Sequence, residues 1–444
     1  MAPGPGPILR SAFPGGAWGG RSNDLSRPTG ELASYDAAPG GLKAPGARSM
    51  HQSSLLPDYR AAAWRLASRP SGGEFLISTG DVPGEYRAAQ EGAVVFDQTD
   101  RGLVAVLGSD ASAFLHRLLA NAVKNLAPGS GNSNLLLSAK GKILFAFDLS
   151  CAADGLELSL PAELAPALVT ALDRYLFADK VTLVDRTESH APLALMGPRA
   201  RLLAEQVLGA PLPAADHAWI RMTWRDFPVH IVALDVAGSP GLRLDAGPAG
   251  APILWRALRD GGVRPAGRAA FDILRVEAGA AEFGADIDDT LYPQEARLER
   301  AFALDKGCYI GQEVVAKIDT YGGLNKRLVA LKISSDEPLP RGTRLVREDQ
   351  GEWRDLGVVT SWAYSFVLDG GLALGYVKRR HQKAGTQFHA LPPLPPKADS
   401  TRESGAPVAP LALDAGMDPR QYPSATIVTL PVRQGALPPT GEFE

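Results

Sequence analysis

An α+β fold is the class this sequence predicts, with antiparallel sheets, helices packed among them and a small C-terminal β-barrel. Strand-like and helix-like segments are mixed rather than strictly alternating, which disfavours a doubly wound parallel sheet. After Asn325 the pattern changes to short apolar runs separated by Gly, Pro and charged turns, as in an all-β barrel.

In chain order, residues 1–55 form a leader that is roughly one-third Gly plus Pro up to Met50 and is expected to be disordered. Arg10, Arg21, Arg27 and Arg48 invite a transit-peptide reading. Asp24, Glu31, Asp36 and the prolines oppose an amphipathic import helix, and a translation start at Met50 is the plainer expectation. Residues 56–190 hold the first part of the main domain. Gly102 to Leu107 reads as a buried strand, Gly108-Ser109-Asp110 as a turn with a helix cap, and Ala111 to Ala120 as a helix. That helix has Phe114, Leu115, Leu118 and Leu119 on one face. Asn134 to Leu137, the turn Ala139-Lys140-Gly141-Lys142 and Ile143 to Leu149 read as a hairpin. A strand from Leu156 to Leu160, a helix from Ala162 to Phe177 and a strand from Val181 to Val184 follow.

Residues 191–324 hold the second part, opened by a strand at Leu193 to Met196, a Gly197-Pro198 turn and a helix at Ala200 to Leu208. A further helix is expected over Ala270 to Ala278. Residues 325–390 give the barrel, with strands at Leu328 to Ile333, Thr343 to Val346, Gly357 to Ser361 and Leu372 to Val377. From Leu391 a Leu-Pro-Pro-Leu-Pro-Pro run opens a tail, residues 391–444, suited to polyproline II or disorder.

Composition narrows the function. A chain of 444 residues with 45% hydrophobic content supports two or three full cores. A net charge of -3 gives no global basic field, so direct nucleic-acid binding is not indicated. Cys151 and Cys308 are far apart in sequence and cannot by themselves build a disulfide framework or a complete metal site, which fits a reducing cytoplasm. No apolar run approaches the ~20 residues that span a bilayer, so neither membrane insertion nor export is expected.

The stretch with chemical character is Lys306-Gly307-Cys308-Tyr309-Ile310-Gly311-Gln312-Glu313. Lys306 favours a thiolate at Cys308, and a helix beginning near Gly311 favours it further. Gly307 and Gly311 allow tight backbone turns. For Cys308 the alternative is a buried structural thiol, and for Lys306 a solvated turn lysine. Tyr309 either stacks on a flat ligand or packs under the turn, while Gln312 and Glu313 are expected to cap the helix start. Arg275 and Glu277 lie two residues apart on one helix and therefore on different faces. The acidic run Glu282, Asp286, Asp288 and Asp289 lacks EF-hand spacing and reads as a solvated loop, and Asn325-Lys326-Arg327 as basic residues entering the barrel.

These pieces, in this order, resemble the folate-binding family that includes the T-protein of the glycine cleavage system and the YgfZ-type iron-sulfur proteins. The resemblance runs from about Tyr86 to about Val377. It includes Gly92 to Asp97, Gly108-Ser109-Asp110-Ala111, Tyr175 to Val181, Met196-Gly197-Pro198 and Leu274 to Gly279. Leu291-Tyr292-Pro293-Gln294-Glu295, followed by the Cys308 octet and Asn325-Lys326-Arg327, is similar to the YgfZ-type signature.

The resemblance implies a T-protein-like fold around a central cavity and tetrahydrofolate or a derivative as cofactor. It also implies a role in iron-sulfur cluster assembly or repair, with client or assembly proteins as partners, in support of cluster-dependent tRNA-modifying enzymes. Cys308 and Lys306 would carry the chemistry, with Arg275, Glu277 and Tyr309 contacting folate. A single thiolate serves at most as a transient iron or cluster ligand, and no stably bound cluster is expected. An acidic residue that the T-protein pattern uses in aminomethyl transfer corresponds to Phe145, which has no proton to exchange. The segment whose glutamate holds the pterin corresponds to Val236-Ala237-Gly238-Ser239. Both departures point away from a conventional enzyme, with folate-dependent aminomethyl or other C1-group transfer as the alternative.

Overall fold

Alternation along the strand Ile143–Cys151, after a bulge beside Ile143, decides how the first sheet is buried: Phe145, Phe147 and Leu149 lie on one face, Ala146 and Asp148 on the other. The computed structural model describes residues 52–69, 72–349, 351–393 and 418–433. The first sheet is antiparallel, in the order Ser130–Leu137, Ile143–Cys151, Gly155–Pro161, Arg101–Leu107 and Thr182–Asp185. Helices Ala111–Leu118 and Ala165–Asp173 cover its apolar face through Phe114, Leu115, Leu168 and Leu172.

The second sheet has the order Trp219–Trp224, Phe227–Val236, Ser239–Asp245, Pro192–Met196, Val94–Asp97 and Arg264–Pro265, with only the last pair parallel. Helices Ala200–Leu208 and Gly247–Asp260 pack on one face, and Val82–Glu91 and Arg268–Ala278 on the other. The two parts are therefore interwoven: Val94–Asp97, early in the chain, sits in the second sheet.

The barrel is closed by six strands, in the order Lys326–Ile333, Gly370–Lys378, Glu352–Ser365, Arg344–Asp349, Gln387–Leu391 and Ser424–Val428. Ser424–Val428 pairs with both Lys326–Ile333 and Gln387–Leu391. The expected tail from Leu391 is thus only partly a tail: Leu391 belongs to a strand and 418–433 return to the fold, while 394–417 lie outside the described residues. The alternation in Ser424–Val428 buries Ala425 and Ile427 in the barrel interior, a signal that the surrounding Pro and Gly obscured. The expected leader lies outside the described residues up to position 51, but Ser53 and Leu55 are buried next to the helix Leu56–Ala61.

Local chemistry moves several boundaries. The helix from Ala111 stops at Leu118 because Leu119 turns extended and Ala120 N–H donates to Leu135 O at 2.9 Å. Asp110 does not cap it; its carboxylate accepts from Lys180 N–H at 2.8 Å. The helix expected over 162–177 is a 3-10 turn, Ala162–Leu164, followed by Ala165–Asp173.

The three lobes meet in an apolar junction. Leu135, Leu137 and Ile143 of the hairpin face Ile273 and Val276, Tyr309 and Val315, and Leu328, Leu374 and Tyr376 of the barrel. Each large side chain buried here contributes about 1.5–3 kcal/mol.

Candidate functional site

Cys308 is exposed, on a loop that is fixed on both sides. On one side Lys306 and His116 hold each other reciprocally. The Lys306 ammonium donates to the carbonyl oxygen of His116, and His116 Nε2 lies 3.1 Å from the carbonyl oxygen of Lys306. Because His116 Nδ1 accepts from the N–H groups of Val123 (3.2 Å) and Lys124 (3.3 Å), the proton of the neutral ring sits on Nε2, which donates to Lys306. Burial pulls the Lys306 ammonium down to about 8, and burial together with the Lys306 charge lowers His116. Lys306 also lies 5.2 Å from the centroid of the Tyr309 ring.

On the other side, Gly311 starts the helix Gln312–Tyr321 with φ +81°. A Cβ at Gly311 would sit 2.5 Å from Ser138 O, and one at Gly141 would sit 3.0 Å from Val314. The loop and the hairpin turn are therefore nested backbone to backbone, and that contact requires both glycines. Gly307, with φ +100°, faces open space and is needed for its backbone angle alone.

Tyr309 packs under the turn in the apolar junction. Its hydroxyl has no hydrogen-bond partner among the described residues, and burial raises it to about 12. Gln312 and Glu313 do not cap the helix. Gln312 Nε2 reaches Leu304 O at 3.4 Å and Glu313 pairs with Lys317 at 2.6 Å on the surface, because Gly311 already supplies the turn. Leu291 to Glu295 is scaffold: Leu291 O accepts from Ile143 N–H, Gln294 Nε2 donates to Val315 O, and Glu295 O accepts from Leu328 N–H. Arg327 pairs with Glu299 at 2.7 Å as the chain enters the barrel.

Arg275 and Glu277 are both buried, and both are engaged within the protein. Arg275 binds Asp272 (2.6 Å), Asp286 (2.8 Å) and Ser361 (3.0 Å), and Asp286 in turn accepts from Thr360 and Ser361 of the barrel. Glu277 accepts from Tyr86 (2.7 Å), Ser365 (2.6 Å) and Val367 N–H (3.3 Å). These networks lock the helix Arg268–Ala278 to the barrel. The acidic run is a solvated loop only in its second half, at the half-exposed Asp288 and Asp289: Asp286 is fully buried and Glu282 pairs with Arg268, because the guanidinium groups of the neighbouring helix draw these two carboxylates inward.

Sequence reasoning missed a polar seam between the two sheets. Asp148 meets Arg243 (3.0 Å), Arg101 (3.3 Å), Ser133 (3.4 Å) and His217 (3.5 Å), and His217 Nδ1 lies 3.0 Å from Asp216. Burial alone would raise Asp148, but Arg243, His217 and Arg101 outweigh it and hold the carboxyl well below the usual range. Burial also works against a charged His217, yet Asp148 and Asp216 lift it to about 9. A second bridge joins Glu157 of the first sheet to Arg221 and His230 of the second. The visible signal was a single charge, Asp148, in a largely apolar strand.

The hairpin connects the two regions and also separates them. From Gly141, under the Cys308 loop, to Asp148 is about 23 Å of extended strand. Phe145 points into the helix-covered core, and its neighbour on the seam face, Ala146, is also apolar. No acid therefore stands on this strand between the turn and Asp148.

For a folate, the donor set fits best around the hairpin that ends at Val236. Ser239 accepts there from Arg433 at 2.6 Å, while Arg433 also donates to Ala237 O at 2.7 Å. Asp235, exposed at the surface yet crowded by neighbouring atoms, is raised to about 6 by that crowding, and its charge interacts with Arg433, Arg300 and Asp216. A carboxylate for pterin N–H groups is thus present at Asp235, while Arg433, buried and bonded to Ser239, Ala237 O and Leu274 O, holds the hairpin itself. Among the described residues, no group of three or more His, Cys, Asp or Glu is arranged to hold a metal ion, and no helix is long and apolar enough to cross a membrane.

Known proteins share this architecture. The aminomethyltransferase of Rubrobacter xylanophilus is 29% identical over 334 residues, covering 74% of this chain and 87% of that protein. A chloroplastic Arabidopsis thaliana protein that carries only a provisional transferase name is 25% identical over 304 residues, 67% of this chain and 68% of that one. The crystal structure of glycine cleavage system aminomethyltransferase T from Bartonella henselae superposes with a TM-score of 0.72 at 22% identity. It covers 87% of this chain and 99% of that one. Residues 74–306 match the GCVT N-terminal domain and residues 326–391 the glycine cleavage T-protein C-terminal barrel domain, so the chain belongs to the T-protein, aminomethyltransferase-like family.

Proposed function

We propose that this protein binds a reduced folate and acts through Cys308 in the assembly or repair of iron-sulfur proteins. The observation that carries the reading is the contrast between two positions. Cys308 is presented to solvent on a doubly anchored loop, while the strand position expected to hold a catalytic acid is a buried phenylalanine. A solvent-facing thiol can lose its proton to water and take one coordination position on an iron of a client's cluster as an exchangeable ligand leaves. The other positions stay on sulfur donors of the client or of a small thiol. Asp235 and Arg300 would hold the folate, with Arg433 fixing the hairpin that carries Asp235, and the folate when bound supplies the N5 and N10 amines of a one-carbon carrier.

The test is complementation of a strain lacking its own YgfZ-type protein, with the activity of a cluster-dependent enzyme as readout. Wild type restores activity, and Cys308→Ala and Cys308→Ser do not. Equal rescue by all three removes the thiol from the mechanism.

A second reading, aminomethyl or other C1-group transfer, is favoured by one observation. Asp148 is a carboxylate held ionised beside two arginines and a histidine, in a chain whose relatives include aminomethyltransferases. Turnover with tetrahydrofolate and an aminomethyl donor, abolished by Asp148→Asn and indifferent to Cys308→Ala, would establish it in place of the first.

A further inference from the structure

Away from the family's shared site, the barrel carries a groove of about 540 Å³, within the ~300–1,000 Å³ range of small-molecule sites. Arg347 and Glu348 on one strand, Trp353 on the next, the turn from Lys383 to Thr386, His389 and Arg420 line it. Three cations face one carboxylate, and that carboxylate, Glu348, is already paired with Arg420 at 2.8 Å.

Arg347 and Lys383 form no ion pair among the described residues. Arg347 stands directly across the strand pair from Arg354, whose guanidinium is already paired with Asp349 (3.5 Å) and Glu352 (3.6 Å), so those carboxylates are engaged by Arg354. Trp353 packs edge-on against His389, with centroids 5.6 Å apart, and the Arg420 guanidinium lies 5.4 Å from the Trp353 centroid. The Arg420 side chain is 62% exposed. An incoming flat ring can therefore stack on the guanidinium plane as the next layer above the indole. The turn below is fixed by Thr386 N–H and Oγ1 donating to Lys383 O, and Gly385 leaves open space where a side chain would stand.

We propose that this groove is a nucleotide site: the base stacks on the Arg420–Trp353 pair, and Arg347 and Lys383 take the phosphates. The ligand chemistry is a heteroaromatic ring joined to phosphate, supplied either by a free mononucleotide or by a single-stranded oligonucleotide. The site does not depend on Cys308, the polar seam or folate.

The test is calorimetric titration of the full chain with adenosine 5′-diphosphate, inorganic pyrophosphate, adenosine and an oligoadenylate, at fixed low salt. The diphosphate is expected to bind with Kd below ~1 mM, with pyrophosphate and adenosine each at least about tenfold weaker. Trp353→Leu, at a half-buried strand position, and Lys383→Ala, on an exposed turn, should each weaken the diphosphate about tenfold while leaving the circular dichroism spectrum and tetrahydrofolate binding unchanged. Oligoadenylate binding more tightly than the diphosphate, with the same sensitivity to both variants, assigns the source to a strand; weaker binding assigns it to a free nucleotide. Pyrophosphate binding as tightly as the diphosphate reduces the groove to an anion patch and overturns the proposal. Absence of saturable binding, or affinity unaffected by either variant, also overturns it.

Discussion

Replacing His217 with asparagine should remove a pH-dependent part of the stability. His217 has φ +56°, which asparagine tolerates better than most residues, so the backbone bond from its N–H to Ala233 O is retained. What is lost is the imidazolium between Asp148 and Asp216. The imidazole rises from 6.5 to about 9 on folding. A group raised in the folded state stabilises fully below its unfolded value and loses that stabilisation as pH rises through the folded value. At about 1.36 kcal/mol per unit, wild type should exceed the His217→Asn variant by about 3 kcal/mol near pH 6, about 2 near pH 7.5 and almost nothing near pH 9.5. Urea unfolding followed by tryptophan fluorescence at those three pH values measures the gap, and the His217 ring proton in NMR gives the titration directly. A gap that stays constant across pH, or a ring titrating below neutrality, would refute the account of the seam.

Other perturbations separate scaffold from chemistry. Gly311→Ala combines a left-handed backbone with a Cβ 2.5 Å from Ser138 O, and should cost about 2 kcal/mol or more in urea titration and displace the Cys308 loop. Cys308→Ser should leave stability within about 0.5 kcal/mol, because the thiol is exposed, while removing the protein's fastest-reacting group in a thiol-alkylation time course; Cys151, buried and raised by burial, should react only on unfolding. Tyr86→Phe deletes one donor to the buried Glu277 and should lower unfolding free energy by about 1.5–3 kcal/mol. Arg433→Met strands Ala237 O, Leu274 O and Ser239 Oγ and should cost about 3 kcal/mol in urea titration.

What the sequence conveyed depended on whether the determining interaction was local. Alternation and helical periodicity located Gly102 to Leu107, the hairpin through Lys142 and the helix Ala200 to Leu208, because those patterns express burial of one face. The helix start at Gly311 was legible for the same local reason. Three features were not. Ser424–Val428 is recruited across some ninety residues of chain by an open barrel edge, and nothing near it announces that partner. The seam joins Asp148 to Arg243 and His217 only after two sheets stack. Arg275 and Glu277 were recognised as charges with a purpose, but burial turned that purpose inward, toward Asp286 and Tyr86. Lys306 was placed correctly beside the thiol in sequence, yet its ammonium is directed at a carbonyl across the fold, that of His116.

The strand Ser424–Val428 also sets an order of events during synthesis. Domains form as the chain emerges, N-terminal parts first, at about 5–20 residues per second. Until Val428 has left the ribosome, Lys326–Ile333 and Gln387–Leu391 each expose an unpaired backbone edge. Until Arg433 follows, Ser239 and Ala237 lack their guanidinium partner. A chain arrested near position 420 therefore presents an open barrel edge and a hairpin without its guanidinium partner at the same time.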